Sequence, residues 1–190
     1  MGTDTQAVNK TRFLPIEKKW DVMFDYIART QRLSDILVSG GDTYTLSSAQ
    51  LRLIVQRLLE MPHIIRIRVA SKGVAICPSK LIDPKDDWAD ALIDLARSGR
   101  KMGKSVALHT HFNHPNEITW ITRLAAQRLF EEGVVVRNQT VLLNGVNNNV
   151  NTMKKLINEL SSINIQPVRF ISLTFSFFQA LTAEVLRIPE

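Results

Sequence analysis

Five apolar segments with the length of β-strands recur along the chain at intervals of about 30–40 residues, starting near positions 35, 64, 105, 134 and 165. The stretches between them carry apolar residues with the period of an amphipathic helix. Strands that alternate with helices form a parallel sheet with helical crossovers. The pattern therefore predicts an α/β fold of about five βα units, either an open doubly wound sheet or part of a (β/α) barrel.

The same periodicities predict the individual elements. Glycine favours helix ends and proline helix starts, so Gly99 and Gly133 are expected to end two helices and Pro115 to lie just inside one. The first helix should bury Trp20, Met23, Phe24, Tyr26 and Ile27. Residues 71–84 are expected to form an irregular linker. The predicted strands are 35–38, 64–70, 105–111, 134–139 and 165–175, and the predicted helices are 15–30, 47–61, 86–99, 117–133 and 150–163.

Composition narrows the classes of protein. The net charge is +6, from 24 basic and 18 acidic side chains, but the basic residues are scattered, so nucleic acid is not an expected partner. No apolar run reaches the roughly 18 residues that span a membrane, and no signal peptide is evident at residues 1–6. The single cysteine, Cys77, excludes an intrachain disulfide. We expect a reducing compartment, the cytoplasm, with the mitochondrion as the alternative.

Polar or glycine-rich residues follow four of the predicted strands. They form the clusters 39–42, 71–73, 109–111 and 138–140. The carboxyl ends of parallel strands lie on one face of the sheet, where ligands bind. The sequence therefore predicts one binding site that draws on four strands.

The third cluster is unusually rich in histidine. His109 and His111 point to the same face of a strand, because side chains alternate with period two. Two imidazoles at this spacing can chelate a metal, so a metal-dependent barrel hydrolase is an alternative function. Asn138 and Gln139, at the next strand end, are poor metal ligands, and we assign no metal-binding residue. His114 precedes Pro115 and is expected to cap the next helix, and His63 is placed in a turn away from the site.

The motifs, read in order, resemble lysine 2,3-aminomutase and its relatives in the radical S-adenosylmethionine superfamily. The resemblance is carried by ILVSGGD (36–42), MPHIIRIR (61–68), THFNHPNEIT (110–119) and RNQTVLLNGVNN (137–148). It spans residues 17–168.

The resemblance implies a partial (β/α) barrel of the radical SAM type that binds S-adenosylmethionine (SAM), a [4Fe–4S] cluster and pyridoxal phosphate (PLP). In that family the cluster cleaves SAM to a 5′-deoxyadenosyl radical, and an amino group migrates on an amino acid substrate. By resemblance, Ser39, Gly40, Gly41 and Asp42 contact the methionyl end of SAM. His111 and Gln139 approach its nucleoside or the neighbouring PLP, and Asn113 and Asn138 are weaker candidates.

The chain departs from the family pattern in two places. The cluster requires a C-x3-C-x2-C triplet before the first helix, and Cys77 cannot replace three thiolates. The lysine that anchors PLP would lie beyond residue 168, where the apolar sequence 169–190 diverges. We hypothesise a gene model truncated at both ends, with a lost 5′ exon and a read-through intron after Val168.

The expected domains are an N-terminal arm (1–14), the partial barrel (15–168) and a divergent tail (169–190). The expected function is an aminomutase-like radical SAM protein that is incomplete or inactive alone, with an amino acid as its small-molecule substrate. The two alternative functions are the metal-dependent barrel hydrolase and a non-catalytic SAM-binding module. The sequence leaves homo-oligomerisation and the identity of the amino acid open.

Overall fold

The computed structural model describes residues 17–172. The expected arm (1–14) lies outside these residues, and so does the expected tail from residue 173 onward. The elements, in chain order, are α1 (Glu17–Arg29), β1 (Asp35–Val38), α2 (Ser48–Leu59), β2 (Arg66–Ala70), α3 (Gly73–Ile76), α4 (Trp88–Lys101), β3 (Ser105–Thr110), α5 (Trp120–Glu131), β4 (Val135–Leu142), α6 (Val150–Ser162) and β5 (Ile165–Ser172).

The five strands form one parallel sheet in the order β1-β2-β3-β4-β5. Each strand therefore pairs with the next one along the chain, and the order never reverses as it does in a doubly wound sheet. The α/β fold of five units is confirmed. Of the two architectures that the sequence left open, the sequential order is that of a partial (β/α) barrel.

The two faces of the sheet differ in chemistry. One face packs against the helices, and its strand residues, such as Val69, Leu108 and Val136, are buried. The intervening residues point to the opposite face, which we call the inner face. Its side chains include Arg68, His109, Arg137 and Gln139, each partly buried.

Local sequence explains where several helices begin. Ser47 caps α2 in a capping box with Gln50, as its position before the apolar run predicts. Asn149 caps α6 by accepting a hydrogen bond from the Thr152 amide. Gly133, with φ +73°, ends α5 as predicted.

Three details of the sequence prediction are wrong. Helix α1 buries Phe24 and packs the partly buried Trp20 and Ile27 against the core, at the spacing i, i+4 and i+7, whereas Met23 and Tyr26 fall off this stripe and are 59% and 63% exposed. Gly99 does not end α4, which continues to Lys101. A Cβ at Gly99 would lie 3.0 Å from Val106 Cγ2, so close packing rather than helix termination accounts for this glycine.

The third wrong detail concerns Pro115. The residues Pro115–Glu117 form a separate 3-10 turn, and α5 starts afresh at Trp120 with Thr119 as its cap. The expected irregular linker 71–84 also contains α3 and a 3-10 turn at Pro78–Leu81, both shorter than a periodic pattern can reveal.

Candidate functional site

The carboxyl ends of the strands meet at one edge of the sheet. Val38 pairs with Val69, Ala70 with His109, and Thr110 with Asn138. The four polar clusters therefore follow neighbouring strands and face the same edge. The predicted gathering of these residues is confirmed, while their roles in ligand binding stay predictions.

The loop after β1 is open. Ser39, Gly40 and Gly41 are all exposed. Gly41 has φ +77°, a conformation that glycine adopts at little cost, and a Cβ at Gly40 or Gly41 would meet nothing within 4 Å. A ligand can therefore approach the backbone of this loop closely.

Asp42 ends this loop and holds the local backbone. Its Oδ1 accepts a hydrogen bond from the Tyr44 amide at 2.9 Å, and its Oδ2 accepts one from the Lys72 amide at 2.9 Å. The carboxylate thus connects the loop after β1 to the loop after β2. This observed role is structural, and the methionyl contact implied by resemblance would use whatever acceptor capacity these amides leave.

Asn138 is 1% exposed and binds the backbone of Phe112. Its Oδ1 accepts from the Phe112 amide at 2.6 Å, while its Nδ2 donates to the Phe112 carbonyl at 3.0 Å and to Thr140 Oγ1 at 2.8 Å. Thr140 Oγ1 also donates to the Phe112 carbonyl. Asn138 lies on the helix-facing side of β4, since it alternates with Gln139, and it holds the loop after β3.

Asn113 has a similar structural use. Its Oδ1 accepts a hydrogen bond from the Val141 amide at 2.9 Å, and its carbonyl accepts one from Asn147 Nδ2 at 2.7 Å. Asn147 is fully buried and also binds the Val141 carbonyl and the Leu143 amide. The weaker candidates Asn113 and Asn138 therefore fix the loops after β3 and β4.

An ion pair joins the loops after β2 and β3. Lys72 Nζ lies 2.9 Å from Glu117 Oε1 and donates to the His111 carbonyl at 2.9 Å. Glu117 Oε2 accepts the amides of Asn113 and His114. Burial raises the pKa of the Glu117 carboxyl, but these hydrogen bonds outweigh burial and leave the pKa below its ordinary value. The pair holds the backbone from the His111 carbonyl to the His114 amide.

His111 and Gln139 stand where the fixed loops meet the inner face. Both are partly buried; Gln139 follows the inner-face alternation of β4, and His111 comes directly after the end of β3. They lie at the edge that also carries Gly40 and Gly41. All four residues therefore lie on the edge where ligands of parallel sheets bind, and their roles in binding stay predictions.

The other histidines have distinct environments. His114 Nδ1 accepts the Asn116 amide, so its predicted capping role is confirmed, although it caps the 3-10 turn. His63 Nε2 lies 3.1 Å from the Ile27 carbonyl, in the turn that was expected. Burial, followed by the charges of Arg137 and Arg68, lowers the pKa of His109 to about 4.

This environment bears on the metal alternative. Within residues 17–172, no group of three histidine, cysteine, aspartate or glutamate side chains is placed to hold a metal ion. The arginines beside His109 would also repel a cation. The donor set therefore does not fit the hydrolase.

A cavity of about 430 Å³ lies between α1, β1 and α2. It touches the backbone of Ser39, Gly40 and Gly41, but its other walls are mainly apolar, including Trp20 and Leu58. It does not include His111 or Gln139, so it is separate from the polar edge of the sheet.

Comparison of the sequence with known proteins identifies relatives of this chain. No protein-family model matches the chain. The chain is 39% identical to the L-lysine 2,3-aminomutase of Clostridium subterminale over 154 residues, which are 81% of the chain and 34% of the relative. The chain is homologous to the L-lysine 2,3-aminomutases.

Other aminomutases extend this relationship. The glutamate 2,3-aminomutase of Clostridioides difficile is 36% identical over 143 residues, which are 75% of the chain and 31% of that protein. The L-lysine 2,3-aminomutase of Methanococcus maripaludis is 29% identical in an alignment of 192 positions, gaps included, that covers 99% of the chain and 42% of the relative. The chain spans about a third of the length of the first of these relatives.

The residues of this aminomutase homologue fit only part of the family's cofactor set. The open backbone at Gly40 and Gly41 leaves room for a ligand such as SAM. The cluster does not fit, because Cys77 is the only cysteine of the 190 residues and lies exposed. A covalent site for PLP does not fit the described strands either, since β1–β5 carry no lysine and Lys72 Nζ is bound to Glu117.

Sequence reasoning named most of the edge but missed several residues that build it. The sequence indicates Lys72 only as part of the polar cluster 71–73, and Glu117 and Asn147 only as parts of the motifs 110–119 and 137–148. A sequence signal existed for one of them: Glu117 follows His114 by three residues, as in a capping box. Arg68 and Arg137 were also missed, although period two places them on the same face as His109 and Gln139.

No helix among residues 17–172 combines the length and the apolar character needed to cross a membrane.

Proposed function

We propose that this chain is a partial (β/α) barrel of the aminomutase type that binds SAM and does not initiate radical chemistry alone. The observation that carries the proposal is an open glycine loop after β1 at the same edge of the sheet as the strand ends that carry His111 and Gln139. Homology to the aminomutases supports SAM as the ligand.

The proposed contacts are those that the family resemblance implies, and the open loop and the partly buried side chains support them. Gly40 and Gly41 offer backbone groups to the methionyl end of SAM, whose carboxylate and amino group need polar partners. His111 and Gln139 supply side-chain hydrogen bonds to the nucleoside end. Asp42, Lys72, Glu117 and Asn138 hold the loops in place, so their contribution to affinity is pre-organisation.

The chemistry of the bound group depends on a reductant that this chain cannot hold, because it has one cysteine. We therefore propose binding and orientation of SAM, with an amino acid as the partner molecule on the inner face, and no turnover by this chain alone.

Titration calorimetry with SAM tests the binding proposal. We expect His111→Ala and Gln139→Ala each to weaken binding by about tenfold, the loss of roughly 1.4 kcal/mol. Gln127→Ala is the matched control, because Gln127 is exposed on α5 and its side chain donates a hydrogen bond to Glu131. Equal affinity in all three variants, or no binding by the unaltered chain, would contradict the proposal.

Iron analysis tests the proposed lack of initiation. After anaerobic reconstitution with iron and sulfide, we expect no stoichiometric iron on the 190-residue chain. Retention of four irons per chain with the absorption of a [4Fe–4S] cluster would overturn this part of the proposal and leave SAM binding untouched.

A further inference from the structure

The inner face of the sheet carries a row of basic and polar side chains below the proposed SAM edge. In the sheet register His109 lies opposite Ala70 on one side and Arg137 on the other, and Arg68 lies opposite Ala107. The side chains share a face because they alternate with the buried residues of their strands. The two alanines add no competing polar group.

The charges in this row do not balance. Arg68 Nε lies 2.8 Å from Asp35, and Arg66 Nε lies 3.3 Å from the same carboxylate. Asp35 is thus shared by two guanidinium groups. Strands β1–β4 carry no other acidic residue, and Arg137 is a third arginine on the same face.

Arg137 is the arginine with spare capacity. Its Nε makes one long contact, 3.5 Å from Gln166 Oε1. No carboxylate among residues 17–172 lies within 4 Å of its guanidinium. A partly buried guanidinium gains most from a planar oxyanion, which it binds with two parallel hydrogen bonds.

His109 supplies a second unused group. Its Nε2 is buried and has no hydrogen-bond partner among the described residues. Because burial and the neighbouring arginines lower its pKa to about 4, the ring is neutral at pH 7 and can donate one N–H without adding charge. A buried nitrogen without a partner costs free energy that a ligand oxygen can recover.

We infer that Arg68, His109 and Arg137 form an anion site on the inner face, which takes the side-chain carboxylate of an acidic amino acid substrate. This inference rests on the proposed function, since it names the substrate class of that same partial barrel. A cationic side chain such as that of lysine would meet two net positive charges on this face and is disfavoured there.

Two small probes of equal length separate the classes of substrate. Glutarate and 1,5-diaminopentane each place a charged group at both ends of a five-carbon chain. Calorimetry on the 190-residue chain at pH 7.5 and low salt should show glutarate binding at least tenfold tighter than the diamine. Glutarate should also shift the NMR signals of the His109 ring, which locates the site without any variant.

Variants then assign the contact. Arg137→Gln should weaken glutarate at least tenfold, and Arg137→Lys should keep part of the affinity. Arg97→Gln is the control, because Arg97 is exposed on α4 and pairs with Asp94 and Glu132. The inference is overturned by equal or tighter diamine binding, by an unchanged Arg137→Gln variant, by glutarate binding that leaves the His109 signals unmoved, or by a response to inorganic phosphate without one to glutarate.

A SAM titration on the same sample keeps the two proposals apart. SAM binding without glutarate binding removes the anion site alone. Glutarate binding without SAM binding removes the proposed function and keeps the anion site. Failure of both ligands overturns both.

Discussion

The loop after β1 and the loops after β3 and β4 face the same edge of the sheet but are built in opposite ways. At Gly40 and Gly41 the backbone is exposed, with open space around it. At Phe112 and Asn113 the backbone is held by buried amides of Asn138 and Asn147. The contrast separates residues that are available to a ligand from residues that hold the edge in shape.

The comparison changes how the asparagines of the motif are interpreted. Their side chains can bind a cofactor or a backbone with equal ease, so their residue type does not distinguish the two uses. Burial does, because Asn138 is 1% exposed and its hydrogen bonds are made within the protein. The exposed glycines and the partly buried His111 and Gln139 remain as the proposed ligand contacts of the edge.

The largest expected effect follows from removing the buried hydrogen bonds between Asn138 and the Phe112 backbone. Asn138→Ala should reduce the free energy of unfolding by about 2–3 kcal/mol, because it leaves the Phe112 amide buried without its partner. Urea denaturation measures the change. The neighbouring Gln139→Ala should shift stability by less than about 0.5 kcal/mol, as expected for a residue outside such a network. Equal losses of unfolding free energy in the two variants would contradict the distinction between a residue that holds the loop and a residue that is available to a ligand.

The ion pair between the loops should have a smaller effect. Lys72→Met should cost about 1 kcal/mol, a value reduced by the partial exposure of both partners. In the folded chain the pKa of Glu117 is below its ordinary value, so the stability it contributes is present at neutral pH and is lost as the pH falls through that lowered pKa.

This acid dependence gives the ion pair its own measurement. Urea denaturation between pH 7 and pH 3 should show a weaker acid dependence in Lys72→Met, and Lys72→Arg should restore it. Lys85→Met is the control, because Lys85 is exposed. An unchanged profile in Lys72→Met would mean that the pair does not hold the loops.

The open loop should respond in affinity more than in stability. Gly41→Ala should cost about 1 kcal/mol of stability from the left-handed backbone and should also weaken SAM binding. Gly103→Ala is matched, because Gly103 has φ +70° and equally open surroundings but follows α4. Calorimetry should find SAM affinity reduced only in Gly41→Ala, and an equal reduction in both would argue against a special role for the loop.

The smallest effect at neutral pH is expected at His109. Its pKa in the folded chain is about 4, below the ordinary 6.5, so the unfolded chain takes up the proton first as the pH falls. The stability linked to His109 is therefore complete above pH 6.5 and declines toward pH 4. His109→Gln should flatten denaturation midpoints across this window, and a midpoint that still falls as steeply would show that other groups cause the decline.

The sequence predicted the fold more fully than the site. Strand and helix periods are local signals, so the five strands and the capping role of Ser47 could be inferred directly. Period two also separates Asn138 from Gln139. Asn138 shares the helix-facing side of β4 with Val136 and Thr140, whereas Gln139 shares the inner face with Arg137. The alternation in sequence is therefore enough to separate the structural Asn138 from the proposed ligand contact Gln139.

Other features depend on the folded loops. Lys72 and Glu117 are 45 residues apart, and their pairing follows from two short turns that carry no periodic pattern. The shared use of Asp35 by Arg66 and Arg68 likewise depends on the register between β1 and β2.

The most direct test of the account maps SAM onto the backbone by NMR. Titration of the isotopically labelled chain should shift the amide signals of Gly40 and Gly41 and the side-chain signals of His111 and Gln139, while the side-chain amides of Asn138 and Asn147 stay in place. Shifts centred on Asn138 and Asn147, or no shifts at saturating SAM, would contradict the division of this edge into an open loop and a fixed one.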